Sequence, residues 1–449
     1  MAAIAIAIMT AYFAAYKSID LARAKMVAVS LVNEKMETVR NMPYDDLGTS
    51  GGWPAGGILA KEEIEKNGVH FDIYTTISYI DDKYDGVAVP SAYPGETLTT
   101  DTSPYDYKEA VIYVTRHDKS GKIAKLTTLI SAKAAETPSN SGILYLCIID
   151  SVGNPVADAD ITISNDLLDP PFAPITNLKT GENGCVLVPM LPPEEHNNYH
   201  ITATKNGFSS DLTYPRTAQN PNALQPDINI LTQKVTDLTL TIDQRSTMNV
   251  HFADAAGNPV PDISFNIEGS KVAYFNPEVF KCSLGIAAII PTSPCLTTYQ
   301  ADAAGFISIP NLEFDDYKII NLTAGYYLIS TTPMRAIPLP ANITLEVTAV
   351  LSASATNPSI YDFSPVSGAV GDVISISLTG GNIDNGATIK LVNPGTSAEI
   401  AGTNIDVSPH DQIVADFNLA GAATGLWNLV LANPSGESVT QINGFEIIN

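Results

Sequence analysis

The hydrophobic pattern of the chain changes abruptly after residue 42. Residues 1–42 contain neither Gly nor Pro, and residues 1–16 carry no charged side chain. Beyond residue 16, apolar positions recur at helical spacing with charged residues largely between them; they are Ile19, Met26, Val29, Val32, Met36 and Val39. Because the residue before a proline is disfavoured in the helical region, Pro43 is expected to end the element. The pattern predicts one unbroken helix of roughly 60 Å, apolar over residues 1–16 and amphipathic over residues 17–42.

The apolar half of this helix is compatible with three kinds of segment. A secretory signal peptide carries a positively charged region ahead of its apolar stretch, and residues 1–16 contain none. A transmembrane helix needs about 20 apolar residues, so this stretch is short unless the true N-terminus lies upstream. The third kind is a helix that first sits in a membrane and later packs against copies of itself. Periodicity alone does not choose among the three.

Beyond residue 50 the pattern is typical of strands and turns. One module is present twice, because residues 148–164 and 252–268 share a strand, a Gly-Asn-Pro turn and a second strand. Gly153 corresponds to Gly257, 104 residues later, which is the size of a domain. Near the C-terminus Ile374, Ile376 and Leu378 alternate with serines, as in a half-buried strand.

Composition agrees with a β-rich chain and restricts its partners. The 449 residues exceed what one core supports, so three or four domains are expected. Charged residues make up only 16% of the chain, which suits β-sandwiches with exposed polar turns. The net charge of −24 argues against nucleic acid and against an anionic membrane surface, because both attract basic patches.

The segment after the apolar stretch resembles a known family. Residues 30–49, SLVNEKMETVRNMPYDDLGT, resemble the end of the N-terminal helix in type IV pilin-like proteins of the prepilin family. Residues 68–86, 103–116 and 122–132 look like the strands of that family's head. The resemblance implies a helix that leads into a β-rich head and forms the core of a filament. Residues 2–8 match only part of the family's opening, so we expect either about six residues and a leader peptide upstream or a variant without the family's usual glutamate.

The remaining modules resemble immunoglobulin-like domains. The repeated module resembles carboxypeptidase regulatory-like domains and the B-type repeats of surface adhesins, which are small sandwiches without a peptidase centre. Residues 357–383 and 425–447 resemble IPT/TIG domains through the spacing of Pro365, Gly368 and Gly371. The expected fold is therefore mainly β and multidomain, with a long N-terminal α-helix, a pilin-like β head and three tandem Ig-like or transthyretin-like β-sandwiches. The predicted boundaries are 1–50 for the helix, 51–136 for the head, 141–242 and 243–352 for the two copies, and 357–449 for the last sandwich.

The four cysteines suggest two disulfides. Cys282 and Cys295 lie in the extra length of the second copy, residues 280–299, where a bridge would close a surface loop. Cys147 and Cys185 lie on strands of one module and could pair across the sandwich. Buried free thiols are the alternative for both pairs.

Candidate chemistry is otherwise sparse. The acidic residues Asp81, Asp82, Asp85, Asp101 and Asp106 cluster in sequence, and some pilin-like heads hold calcium in the corresponding loops. A solvated turn is the alternative. The sequence has no nucleophile elbow, metalloprotease motif or phosphate loop, so we expect neither an enzyme nor a bound cofactor.

The sequence thus predicts a structural subunit, or pilin, of a type IV pilus-like extracellular filament that displays Ig-like domains for surface attachment. Its main partner would be itself, and the inner membrane would hold the subunit before assembly. The residues expected to pack in the filament are Ile4, Ile6, Ile8, Met9 and Phe13. The alternative is a membrane-anchored surface adhesin that does not polymerise.

Overall fold

A computed structural model describes the chain except for residues 1, 85, 90–96, 102, 119–120, 133–139, 219–220, 276–278, 281–296, 321, 335 and 409. Within the helix and strands, the side chains of residues 2–8, 279–280 and 410 are also outside the described part. The protein is mainly β, with one long helix followed by thirty-one strands in the described residues. The chain forms two compact units, Met1–Asn206 with Ser210–Ile242, and Gly207–Ser209 with Asp243–Asn449.

The predicted helix is present and unbroken, as α1 at Ala2–Arg40. Its last turn closes through the backbone N–H of Asn41, which donates to the Glu37 carbonyl at 3.2 Å. Pro43 then has an extended backbone, with φ −58° and ψ 143°, and caps a short 3₁₀ turn, η1, at Tyr44–Asp46. The proline therefore separates the helix from the head, as its fixed ring geometry favours.

The head is an antiparallel sheet with α1 across one face. Its strands are β1 (Lys61–Lys66), β2 (Val69–Ile80), β3 (Tyr107–Arg116) and β4 (Lys122–Ser131). Alternate residues of β2 and β3 point towards the helix, including Ile73, Ile77 and Ile112, all nearly inaccessible to solvent. They form one core with the helix residues Leu31 and Met36. The apolar face of the strands, which repeats every second residue, thus packs against the apolar face of the helix over residues 24–39.

The first copy of the module continues the head sheet. Its strands are β5 (Gly142–Ile149), β6 (Asp160–Ser164), β7 (Ile175–Lys179), β8 (Cys185–Leu191), β9 (Glu194–Thr204), β10 (Asp211–Leu212), β11 (Ile228–Ile230) and β12 (Val235–Thr241). The sheet order is β12-β5-β8-β2-β3-β4, and Tyr79 of β2 pairs with Leu187 of β8. A second sheet has the order β10-β9-β6-β7, with β11 also pairing β9. One sheet therefore runs through the predicted head and the predicted first sandwich.

The second copy shares the central strand pairing of the first. Its strands are β13 (Ser246–Asp254), β14 (Ser264–Gly269), β15 (Val272–Tyr274), β16 (Val279–Phe280), β17 (Thr298–Gln300), β18 (Phe306–Leu312), β19 (Asp315–Ile320), β20 (Tyr327–Thr332), β21 (Ile337–Leu339) and β22 (Thr344–Ser352). Its two main sheets have the orders β18-β13-β22-β20 and β17-β14-β19-β21, and β15 pairs β16. β13 pairs in parallel with β22 and antiparallel with β18, as β5 pairs with β12 and β8.

The matched turns of the two copies have the same hydrogen bonds. One carboxylate oxygen of Asp150 accepts the backbone N–H of Asn154 at 2.7 Å, and one of Asp254 accepts that of Asn258 at 2.8 Å. The other oxygen accepts the asparagine side chain at 2.9 Å in each copy. The aspartate that precedes the Gly-Asn-Pro turn therefore organises the turn in both copies, as aspartates do in local side-chain-to-backbone motifs.

The C-terminal sandwich completes the second unit. Its strands are β23 (Ser359–Ser364), β24 (Ser367–Ala369), β25 (Val373–Ile383), β26 (Thr388–Val392), β27 (Glu399–Ala401), β28 (Thr403–Ser408), β29 (His410–Asn418), β30 (Gly425–Ala432) and β31 (Ser438–Ile448). The sheets have the orders β23-β25-β29-β28 and β24-β31-β30-β26-β27. Trp427 is buried in the core between them. Ile329 and Val350 of the second copy pack into the same core, and the Gln441 side chain donates to the Thr331 carbonyl at 2.7 Å.

Candidate assembly surface

The N-terminal half of the described helix carries an apolar surface that no other described residue covers. Every residue from Met9 to Ile19 is exposed, so the exposure runs around all sides of the helix. We call residues 9–19 the exposed segment. Its large side chains are Met9, Tyr12, Phe13, Tyr16 and Ile19, which are 58%, 65%, 55%, 63% and 54% exposed.

Such a surface is unfavourable in water. Fully burying one large apolar side chain is worth about 1.5–3 kcal/mol, so the five together give a strong drive to find a partner surface. Ala11, Ala14 and Ala15 lie between them and have little bulk, which lets another helix approach closely. The segment therefore has the composition of a helix-packing surface.

The rest of the helix is held on the head. Ala24, Ala28, Leu31, Val32, Met36 and Val39 are nearly inaccessible to solvent in the core shared with the sheet. The Arg116 guanidinium of β3 donates to the Asp20 carboxylate at 2.6 Å, one residue after the exposed segment ends. Further along, the Lys35 ammonium donates to the Glu62 carboxylate of β1 at 2.6 Å. The helix thus has an anchored part and a free-standing part, with Asp20 at the boundary.

Sequence reasoning identified part of this surface. Met9 and Phe13, predicted to pack in assembly, lie on it. Ile4, Ile6 and Ile8 were predicted as well, and their side chains lie outside the described residues. Tyr12 and Tyr16 are not among the predicted packing residues, although they lie in the uncharged run, and Ile19 is predicted only as an apolar position of the amphipathic half. In the part of the chain that the structure describes, no helix is long and apolar enough to cross a membrane.

The predicted acidic cluster lies in the loops between strands β2 and β3, where its carboxylates hold the backbone. Asp81 accepts the N–H of Ala88 at 2.7 Å, and Asp106 accepts the N–H of Asp82 at 2.5 Å.

Asp82 also accepts the hydroxyl of Tyr107 at 3.1 Å, and Asp101 accepts the N–H of Ser103 at 2.9 Å. Within the described residues, the second oxygen of Asp101 is buried and accepts no hydrogen bond, so it could coordinate a cation. Asp85 lies outside the described residues. Calcium binding by this cluster stays a prediction.

A second group of possible metal ligands was not found from the sequence. Glu63, Asp72 and His117 come from three neighbouring chain segments, and their ligand atoms lie within 4.8 Å of one another. Nδ1 of His117 is 3.2 Å from both carboxylate oxygens of Asp72. The Lys61 ammonium already lies between the carboxylates, 2.8 Å from Glu63 and 3.5 Å from Asp72, and the hydrogen bond to Glu63 raises the pKa of Lys61. The group is therefore arranged as an ion-pair network.

Two of the four cysteines are bonded in the described part of the chain. Cys147 of β5 and Cys185 of β8 form a disulfide with an S–S distance of 2.08 Å. The two residues face each other on neighbouring antiparallel strands of one sheet, so the bond lies within a sheet and does not cross the sandwich. Cys282 and Cys295 lie outside the described residues, and their pairing stays a prediction.

A cavity of about 720 Å³ lies within the first unit, between the face of β2–β4 opposite the helix and the first copy of the module. Two ion pairs cross it, Lys122 with Asp158 at 2.7 Å and Lys125 with Glu182 at 2.6 Å. Burial raises the pKa of Glu109 on its wall. The volume suits a small molecule, but the bridging lysines and acids are paired with each other, so the lining does not indicate a ligand class.

Comparison with known proteins gives similar structures only. No protein-family model and no curated protein matches the chain. The chain is similar to the Bacillus anthracis TIE protein, at 12% identity over 87% of this chain and 72% of that chain, with a TM-score of 0.18. It is similar to the Streptococcal ancillary pilin, at 10% identity over 54% and 75%, with a TM-score of 0.22.

GBS52, the minor pilin of the Gram-positive pathogen Streptococcus agalactiae, is similar at 13% identity over 47% of this chain and 95% of that chain, also with a TM-score of 0.22. TM-scores this low carry no argument about function. Several solved structures to which this mainly β, multidomain chain is similar are pilins.

Proposed function

We propose that this chain is a structural subunit of a type IV pilus-like extracellular filament. The subunits polymerise through the N-terminal helix and display the β-domains on the outside for surface attachment. The observation that carries the proposal is the exposed segment, which is mainly apolar and which no described residue covers, whereas the helix from Ala24 to Val39 packs on the head.

The distribution of the exposure favours a filament over a dimer. In an isologous dimer one face of each helix is buried and the other faces stay in water. In a head-to-tail array with helical symmetry, several neighbours surround each helix and cover every side, and such an array grows because its ends never close. The apolar residues around the exposed segment are best buried by the second arrangement.

The proposal has further parts that follow from the same helix. The inner membrane holds the subunit before assembly, and the finished filament lies at the cell surface. The role is structural, and no residue is assigned to catalysis. A membrane-anchored adhesin that does not polymerise would use the same apolar helix, so the test must separate the two.

Deleting residues 1–16 tests the proposal. The shortened chain is expected to be a monomer with folded β-domains and no filaments, because most of the apolar surface is gone. Phe13→Ser should weaken assembly in the full chain, whereas Val152→Ser, at a site 79% exposed in the first copy, should not. Sedimentation and electron microscopy measure assembly, and circular dichroism checks the fold.

Two results would contradict the proposal. Filaments of unchanged diameter from the shortened chain would show that the helix is not the core. A full chain that stays monomeric in detergent-free solution, and binds vesicles only when residues 1–16 are present, would favour the anchored adhesin.

A further inference from the structure

Lys17 is the one charged side chain within the exposed segment. No other residue from 1 to 19 carries a charge. Lys17 is exposed and has no ion-pair partner among the described residues. The acid that follows it most closely, Asp20, is already bonded to Arg116 at 2.6 Å.

Assembly would take this ammonium out of water. An isolated charge in an apolar environment is strongly unfavourable, and it is tolerated when an opposite charge and hydrogen bonds accompany it. If the exposed segment lies in a filament core, Lys17 therefore requires an acid, and within its own chain the neighbouring acid is taken. The required acid then comes from another copy.

Asp45 and Asp46 are acids that could supply the opposite charge. Both are exposed in η1, just beyond the end of the helix, and neither has an ion-pair partner within the described ranges. The nearby Lys108 ammonium donates to the carbonyls of Tyr44 and Leu47, at 2.7 and 2.9 Å. Burial lowers the pKa of Lys108, and the charges of Asp45 and Asp46 oppose that lowering from beyond ion-pair distance.

The exposed acids in the C-terminal half of the helix already form ion pairs within the chain. Glu34 lies 3.6 Å from Lys66, and Glu37 lies 3.2 Å from Arg40. Among the described acids of α1 and η1, Asp45 and Asp46 are therefore the ones without an ion-pair partner.

We propose that Lys17 of one subunit pairs with Asp45 and Asp46 of a neighbouring subunit, and that this pair sets how far the two subunits are shifted along the filament. The inference rests on the proposed function. Lys17 lies about 35 Å from the end of the helix at 1.5 Å per residue, so the partner subunits are displaced by roughly that distance along the helix.

Charge exchange tests the pairing in the full chain. Lys17→Glu is expected to raise the critical concentration for assembly at least about tenfold, since breaking a buried charge pair costs 1.4 kcal/mol or more. The double variant Asp45→Lys/Asp46→Lys should have a similar effect. Combining all three substitutions should restore assembly. Lys318→Glu, an equal charge change on an exposed site of β19, serves as the control and should assemble like the wild type.

Critical concentrations are measured by sedimentation, and circular dichroism confirms that each variant is folded. Unchanged assembly of Lys17→Met, or failure of the combined variant to recover, would overturn the pairing while leaving the filament proposal in place. Absence of filaments from the wild type would contradict the proposed function and the inference with it.

Discussion

Gly305 and Gly184 occupy equivalent places in the two copies of the module and are under the same restriction. Both have positive φ, 69° and 75°. A Cβ atom at either site would lie 2.7 Å from a backbone carbonyl oxygen, that of Phe252 or of Ile148. The N–H groups of the same two residues donate to the glycine carbonyls at 2.8 Å, so the strands cannot separate to make room without losing a hydrogen bond. A side chain at either site would therefore strain the backbone and clash with a carbonyl oxygen of the neighbouring strand.

Gly305→Ala is expected to destabilise the second unit more than Gly257→Ala. Both sites have positive φ, which costs an alanine about 1–2 kcal/mol. Only Gly305 adds a steric clash, because no atom lies within 4 Å of a Cβ at Gly257. The difference should be about 1–3 kcal/mol, measured by urea denaturation of the two variants. Equal losses of stability in the two variants would mean that the two strands move apart at little cost.

At the scale of the residue, the sequence predicts local turns better than it predicts which distant residues contact each other. The Gly-Asn-Pro turns were predictable because the turn is local and each residue acts within a few positions. The grouping of Glu63, Asp72 and His117 was not predictable, because it depends on the register of neighbouring strands. The same holds for the cross-strand position of the disulfide.

At the scale of the element, α1 has two halves: one packs on the sheet of the head, and the other is exposed. Ala24 and Ala28 are almost fully buried where the helix crosses the sheet, and their small side chains let the two backbones come close. Val29, one residue further, is 44% exposed. The anchored half therefore depends on small residues at particular positions.

Ala28→Leu should loosen the helix from the head. The added atoms have no space in the core, so the expected cost is about 1–3 kcal/mol. Val29→Leu adds apolar volume on the solvent side and should change stability little. The unfolding temperature of the first unit, measured by calorimetry in mild detergent, compares the two. A similar temperature for both variants would show that the helix does not pack closely on the sheet.

The helix itself was predictable, because the absence of Gly and Pro and the following proline are local signals. Where the helix leaves the head was not. That boundary depends on the ion pair between Asp20 and Arg116, residues 96 positions apart in the sequence. The uncharged run suggested a free segment ending at Tyr16, whereas the exposure continues through Ile19.

At the scale of the whole molecule, a net charge of −24 opposes association of identical copies. Assembly is therefore expected to improve as NaCl rises from about 0.01 to 0.15 M, because the Debye length falls from about 30 to 8 Å. A buried ion pair is screened much less than surface charges, so it should not reverse the trend. Sedimentation at pH 7 measures the critical concentration at each salt level. A critical concentration that rises with salt would indicate that exposed ion pairs between subunits dominate assembly.

The mainly β, multidomain fold was predictable from the alternating pattern and the repeat. The domain boundaries stay a prediction. The sheet shared by the head and the first copy could not have been predicted, because it rests on the pairing of Tyr79 with Leu187, which no local pattern signals.

The parallel pairing of first and last strands in both copies determines how the modules bear tension. Residues 143–149 of β5 pair with residues 235–241 of β12 at seven positions, and β13 pairs with β22 at eight. Since the chain enters a module on one of these strands and leaves on the other, the entry and exit lie at opposite ends of the pair. A pull along the chain therefore acts in shear, and all the paired positions must slip together before the module can extend. A pull applied between the N-terminal helix and the C-terminal end of the chain would load both copies in this direction, because both lie between these two points in the chain.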